Sequence, residues 1–131
     1  MSPQNEESHR LLRLARRDYS AFLALVAAPG VEFAVAAFHA QQAVEKALKA
    51  VMSGYGLEYR RTHDLEELAS RIADAGVVSV PVSHADLRAL TPYGVAFRYD
   101  DEITDILSPS NAKQFIDEIL SWAQNIIGAA T

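Results

Sequence analysis

The chain has 131 residues, half of them apolar and 22% charged, which suits a single domain of residues 1–131 with a sizeable core. It has no cysteine, which excludes disulfides, thiolate metal sites and cysteine nucleophiles and fits a reducing cytoplasm. The net charge of −5 excludes a general nucleic-acid binder, because phosphate affinity needs many cations on one face. The charge is uneven, however. Residues 1–61 hold eight Lys/Arg against six Asp/Glu, and residues 62–131 hold four against eleven, so a local basic site has room. No apolar run approaches the ~18 residues of a membrane span. The opening "MSPQNEESHR" lacks an apolar secretion core, and the expectation is a cytoplasmic protein.

The spacing predicts a first helix over about Asn5–Ala28, with Leu12, Ala15, Tyr19, Phe22 and Val26 on one stripe and Pro29-Gly30 as its stop. A second is expected over about Glu32–Ser53, with Phe33, Ala37, Ala40, Val44, Ala47, Leu48 and Val51 inward. A third follows over about Leu65–Ala75, burying Leu65, Leu68, Ala69 and Ile72. Asp64 and Glu67 read as its capping box and Gly76 as its end. "VVSVPV" is β-rich but short and broken by Pro81, so it reads as a loop. Ser83 caps a fourth helix carrying Leu87 and Leu90, which Pro92 kinks or restarts, with Tyr93 and Phe97 beyond. Ser108 and Pro109 open a fifth, whose seam is Ala112, Phe115, Ile116, Ile119, Ala123 and Ile126. The expected fold is all-α, an antiparallel bundle of about five helices with its core over about residues 8–127.

The second helix raises the functional question. Gln41, Glu45 and Lys49 share one ridge; His39, Gln42 and Lys46 share the next, and Phe38 lies between them. Glu45 and Lys49 form an i,i+4 pair worth ~0.3–0.5 kcal/mol. One reading is a solvated face with a single exposed aromatic. The other is an interface or cleft, since amides beside an aromatic suit a partner helix or a nucleobase.

"AFHAQQAVEKALKAVM", "RTHDLEELA" and "YGVAFRYD", in that order and at these distances, resemble the HEPN domain family over roughly Leu11–Trp122. The resemblance implies a small helical bundle, commonly a homodimer, often paired with a minimal nucleotidyltransferase in a two-component, toxin–antitoxin-like cassette. It also implies one of two activities: metal-independent RNA cleavage through an Arg followed four to six residues later by a His, or nucleotide binding without cleavage. Arg98, followed by Tyr99, sits where the family's arginine falls. The partner positions are Ile103, Thr104 and Asp105, so the motif is broken.

Metal-free RNA cleavage needs one group to take the 2′-hydroxyl proton and another to protonate the leaving oxygen, with a cation on the phosphate. Arg98 could be that cation; the neighbouring carboxylates would repel a phosphate. Among His9, His39, His63 and His84, the strongest substitute is His63, beside two arginines at a helix start. Its structural alternative is a bond to a backbone carbonyl or neighbouring carboxylate. His39 is read as facing a dimer seam or water, and His9 and His84 as surface residues. No two histidines stand at i,i+3 or i,i+4, so neither metal nor cofactor is expected. Arg10, Arg13 and Arg17 recur at steps of three and four beside Arg16, as a solvated face or a docking stripe for phosphate or an acidic partner.

The resulting expectation is a dimeric binding or accessory protein, with a cleft for a nucleotide or an RNA end, or a nucleotidyltransferase partner. Catalytic candidates are Arg98 and His63. The binding set is Arg98, Tyr99, His63, Asp64, Gln42, Glu45, Lys46 and Lys49, and the dimer set is Phe38, His39, Gln41, Gln42 and Glu45. The alternatives are a ribonuclease with a non-standard histidine and a pure protein-interaction module.

Overall fold

The computed structural model describes residues 3–94 and 108–129, with the side chains of 5–94 and 108–128. Among the described residues there are five α-helices: α1 (Pro3–Ala27), α2 (Phe33–Gly54), α3 (Leu65–Ala75), α4 (His84–Leu90) and α5 (Pro109–Ala129). A short 3-10 turn, Thr91–Gly94, continues α4 and begins at the residue before Pro92, where a proline is expected to interrupt a helix. No strand occurs among the described residues, and Val77–Val82 is a loop.

The cap signals are largely obeyed. Asp64 accepts from the backbone N–H of Glu66 and Glu67, Ser83 from that of Asp86, and Ser108 from that of Asn111. The reciprocal half of the expected capping box is absent. Glu67 turns instead to Arg60, which grips it with two hydrogen bonds of 2.8 and 2.6 Å. The backbone N–H of Asp64 is served by Thr62 Oγ1 at 3.1 Å. Gly76 ends α3 at φ 69°, a left-handed conformation that suits glycine.

α2 is the centre of the bundle and packs against α1, α3, α4, α5 and the 3-10 turn. Asp18 of α1 meets His39 and Lys46 of α2, and Ser8 lies against Gly54, so these two helices run antiparallel. Arg16 reaches Gln124 and Tyr19 reaches Asp117, which makes α1 and α5 antiparallel as well. The row Ala36, Ala40, Ala43, Ala47 and Ala50 is fully buried, and its small side chains let neighbouring helices approach closely. Phe22, Leu48, Leu68, Ile72, Leu90, Ile116 and Ile119 fill the rest of the core. Ile127 is buried and Ile126 only half-buried, so the seam of α5 ends one residue off the expected register.

The solvated-face reading of α2 fails for two residues. Gln41 is 0% and Glu45 5% exposed. Periodicity assigns a helix one apolar side, but a central helix is covered from several, and the polar positions of α2 are enclosed with the rest. No described helix is long and apolar enough to cross a membrane.

Candidate functional site

An enclosed Gln and Glu must find partners, because an unpaired buried polar group costs about 1–3 kcal/mol and a lone charge more. Gln41 Nε2 donates to Glu45 Oε1 at 3.1 Å and to the main-chain carbonyl of His63 at 3.0 Å. Gln41 Oε1 accepts from Gln42 Nε2 at 2.8 Å. Both ends of the Gln41 amide are used. Glu45 takes two further donors, Lys49 Nζ on Oε2 at 3.0 Å and His63 Nδ1 on Oε1 at 2.8 Å.

The geometry fixes the imidazole. A carboxylate paired with an ammonium only accepts, so Nδ1 of His63 carries a proton, and in the neutral ring the lone pair is on Nε2. The His63 side chain is 56% exposed, while the Glu45 side chain is 6% exposed. The site therefore presents a hydrogen-bond acceptor, and a proton acceptor, at the protein surface on a buried anionic support.

The surroundings hold this arrangement from three sides. The backbone N–H of Leu65, at the start of α3, donates to Thr91 Oγ1 at 3.2 Å, and that hydroxyl donates to the carbonyl of Leu87 at 2.9 Å, tying the His63 segment to the end of α4. Gly94 lies against the Gln41 amide so closely that an added Cβ would stand 2.3 Å from Cδ; only glycine fits. Lys49 Nζ lies 5.5 Å from the centre of the Tyr59 ring, a cation–π distance. Burial is the main influence raising the Tyr59 hydroxyl's pKa above the usual phenol value. The fork from Arg60, chiefly through its hydrogen bonds, holds the Glu67 carboxyl below the ordinary carboxylate range.

A second polar cluster occupies another side of α2. Asp18 is 8% exposed, binds Lys46 Nζ, and accepts from His39 Nδ1 at 3.0 Å. The His39 ring makes an edge contact with Phe38, centroids 5.2 Å apart at 76°.

The structure thus sorts the sequence candidates. It brings Gln41, Gln42, Glu45, Lys49 and His63 together and sends His39 and Lys46 to the Asp18 cluster. Asp64 is spent on the α3 cap. Gln41 and Glu45, expected at a dimer surface, are enclosed within the subunit, whereas Phe38, His39 and Gln42 remain partly exposed. His39 bonds the Asp18 carboxylate through Nδ1 and stays partly exposed. His9, read as a surface residue, has Nδ1 buried without a partner. Arg98 and Tyr99 lie outside the described residues, as does Phe97. Sequence reasoning missed Asp18, Thr91 and Gly94. Asp18 lies beside the apolar stripe of α1, one residue before Tyr19, which was a usable signal. Nothing in the sequence marked Gly94 as the wall of a polar pocket. Among the described residues, no set of three or more His, Asp or Glu is placed to hold a metal ion.

An all-helical domain built round one central helix, with a buried amide–carboxylate pair supporting a surface histidine, is the class that the geometry defines. The chain belongs to the HEPN domain family, which matches residues 8–130. No curated protein and no solved structure matches it.

Proposed function

We propose that this HEPN domain is a binding and accessory module, dimeric, whose recognition site for a nucleotide or an RNA end is centred on His63. It acts beside a minimal nucleotidyltransferase in a two-component, toxin–antitoxin-like cassette of the cytoplasm. One observation carries the reading: Glu45, fully served by Gln41, Lys49 and His63, holds an exposed imidazole in one tautomer. A helical bundle needs no buried carboxylate for stability, since a well-packed apolar group of similar volume is often neutral or better. A fixed acceptor at the surface suits the donor groups of a ribose or a base. The exposed Val35, one turn before the half-buried Phe38, supports α2 as the dimer contact.

The test is a thermal-shift panel of nucleotides on the wild type and on His63→Ala. A ligand at a hundred times its dissociation constant stabilises by ~2.7 kcal/mol, and that shift disappears in the variant. A flat panel, with stabilisation only by a protein partner, overturns the reading in favour of an interaction module.

The Nδ1–Glu45 distance of 2.8 Å favours a second reading, a metal-independent ribonuclease in which His63 Nε2 takes the 2′-hydroxyl proton. It predicts cleavage of RNA in EDTA that is lost in both His63→Ala and Arg98→Ala. Cleavage indifferent to both changes belongs to a contaminant.

A further inference from the structure

The arginines of α1 beyond its first turns differ from most others on the molecule. Arg60 and Arg88 each grip a glutamate with a two-bonded fork, Glu67 and Glu66 respectively, and Arg10 does the same with Glu7. Arg13 and Arg17 are exposed and meet no carboxylate among the described residues. They stand one turn apart, about 6 Å along the axis. Arg16, on the same side of α1, is held by the neutral Gln124 amide at 2.9 Å, which positions the guanidinium without neutralising it.

A surface of the opposite kind lies beyond α5. A groove of about 480 Å³ runs between α4 and α5. Asp86 of α4 and Glu118 of α5 line it, and neither carboxylate has an ion pair or a hydrogen bond among the described residues. The side-chain amides of Asn111 and Gln114 line it too and are equally unbonded there, and Ala89 and the nearly buried Phe115 complete it. Carboxylate and amide oxygens accept the five N–H donors of a guanidinium, and an aromatic surface receives its plane.

The two surfaces cannot meet within one subunit. α5 turns Asp117 and Gln124 towards α1, where they bond Tyr19 and Arg16. Glu118 follows Asp117 by about 100° round the helix and shares the groove beside α4. The body of α5 therefore stands between the arginines and the free carboxylates.

We propose that a second copy of this chain fills the groove: Arg13 and Arg17 of one subunit enter the α4–α5 groove of the next and pair with Asp86 and Glu118. Charge complementarity names the occupant, since the chain carries both the unneutralised guanidinium pair and the unpaired carboxylates, on different faces. The contact joins two unlike surfaces, so it repeats head to tail and either closes into a ring or grows into a chain. It is separate from any contact through α2 and needs no ligand at His63. Exposed ion pairs are individually weak and screened by salt, so the association is reversible and strongest at low ionic strength.

The experiment is sedimentation velocity on the full chain over a series of protein concentrations. It is run at about 0.01 M and about 1 M salt, where charges are screened beyond about 30 Å and about 3 Å. The samples are the wild type, Arg13→Glu/Arg17→Glu, Asp86→Lys/Glu118→Lys, and an equimolar mixture of the two variants. The mean mass of the wild type at low salt should rise with concentration above its value at high salt. Each variant alone should lose that excess, because like charges then meet across the contact. The mixture should regain it, because every α1 again finds a groove of opposite charge, and the recovery shows that both variants are folded. A wild type of the same mass at both salts, an excess kept in either variant, or a mixture that stays as small as its components overturns the proposal. So does a wild type of one size whose groove binds free oligoarginine, with that binding lost in Asp86→Lys/Glu118→Lys, which gives the groove to a foreign basic partner.

Discussion

α2 carries two polar clusters with the same parts in different settings. In each, one nearly buried carboxylate receives a lysine ammonium and a histidine Nδ1. In the first, Asp18 is on α1 and both partners are on α2, so every member belongs to a regular helix. The His39 side chain is 31% exposed there. In the second, carboxylate and lysine share α2, but the histidine arrives from the irregular segment before α3, and its side chain is 56% exposed. Only the second has a buried amide that also fastens the histidine's own main-chain carbonyl. The first cluster clamps two helices; the second clamps a loop and leaves the ring's far edge outside. The same chemistry becomes a fastening or a site according to what can still approach it.

That contrast can be broken in graded steps. Glu45→Ala has the largest expected effect. It strips partners from Gln41, Lys49 and His63 at once and costs about 3–5 kcal/mol in urea unfolding. Gly94→Ala should follow at about 1–3 kcal/mol, because its Cβ forces the Gln41 amide aside; chemical shifts of His63 should move with it. Asp18→Asn should cost about 1–3 kcal/mol and leave nucleotide binding untouched, which separates the fastening from the site. His63→Ala reverses that pattern. Its exposed ring contributes less than about 1 kcal/mol of stability, yet the proposed nucleotide binding should be lost.

The smallest effect is a pH dependence far from both clusters. The hydrogen bonds from Arg88, and then its charge and that of His84, outweigh the opposing effect of burial and hold the Glu66 carboxyl below 4.5; Arg60 does the same for Glu67. A folded value below the unfolded one means stability that is present above about pH 4.5 and lost as pH falls through the lower folded value. Arg60→Ala and Arg88→Ala should therefore lower the urea midpoint slightly at pH 6, and their curves should converge on the wild type as pH falls through the lowered folded values.

Much of the fold was legible because its signals are local. Asp64, Ser83 and Ser108 announce helix starts through their own backbone bonds, Gly76 announces an end, and Leu65, Leu68 and Ile72 repeat at the period of a half-buried helix. The site was legible only as a list. His63, Glu45 and Lys49 stood out by type, but which would be enclosed depends on how many neighbours surround α2, and periodicity does not carry that. Likewise Glu67 matched a capping box by spacing and went to Arg60, because a charged fork outcompetes a backbone N–H for a carboxylate. Gly94 was invisible because its meaning lies in what presses against it from 53 residues away in sequence.

The account depends on a histidine held by a buried carboxylate with its second nitrogen turned outward. Long-range proton–nitrogen NMR of the imidazoles reads this directly. The wild type should show His63 protonated at Nδ1 and bare at Nε2, with the preference lost in Glu45→Ala and with Nε2 perturbed when nucleotide is added. A ring protonated at Nε2, or one whose Nε2 ignores every nucleotide, would contradict it.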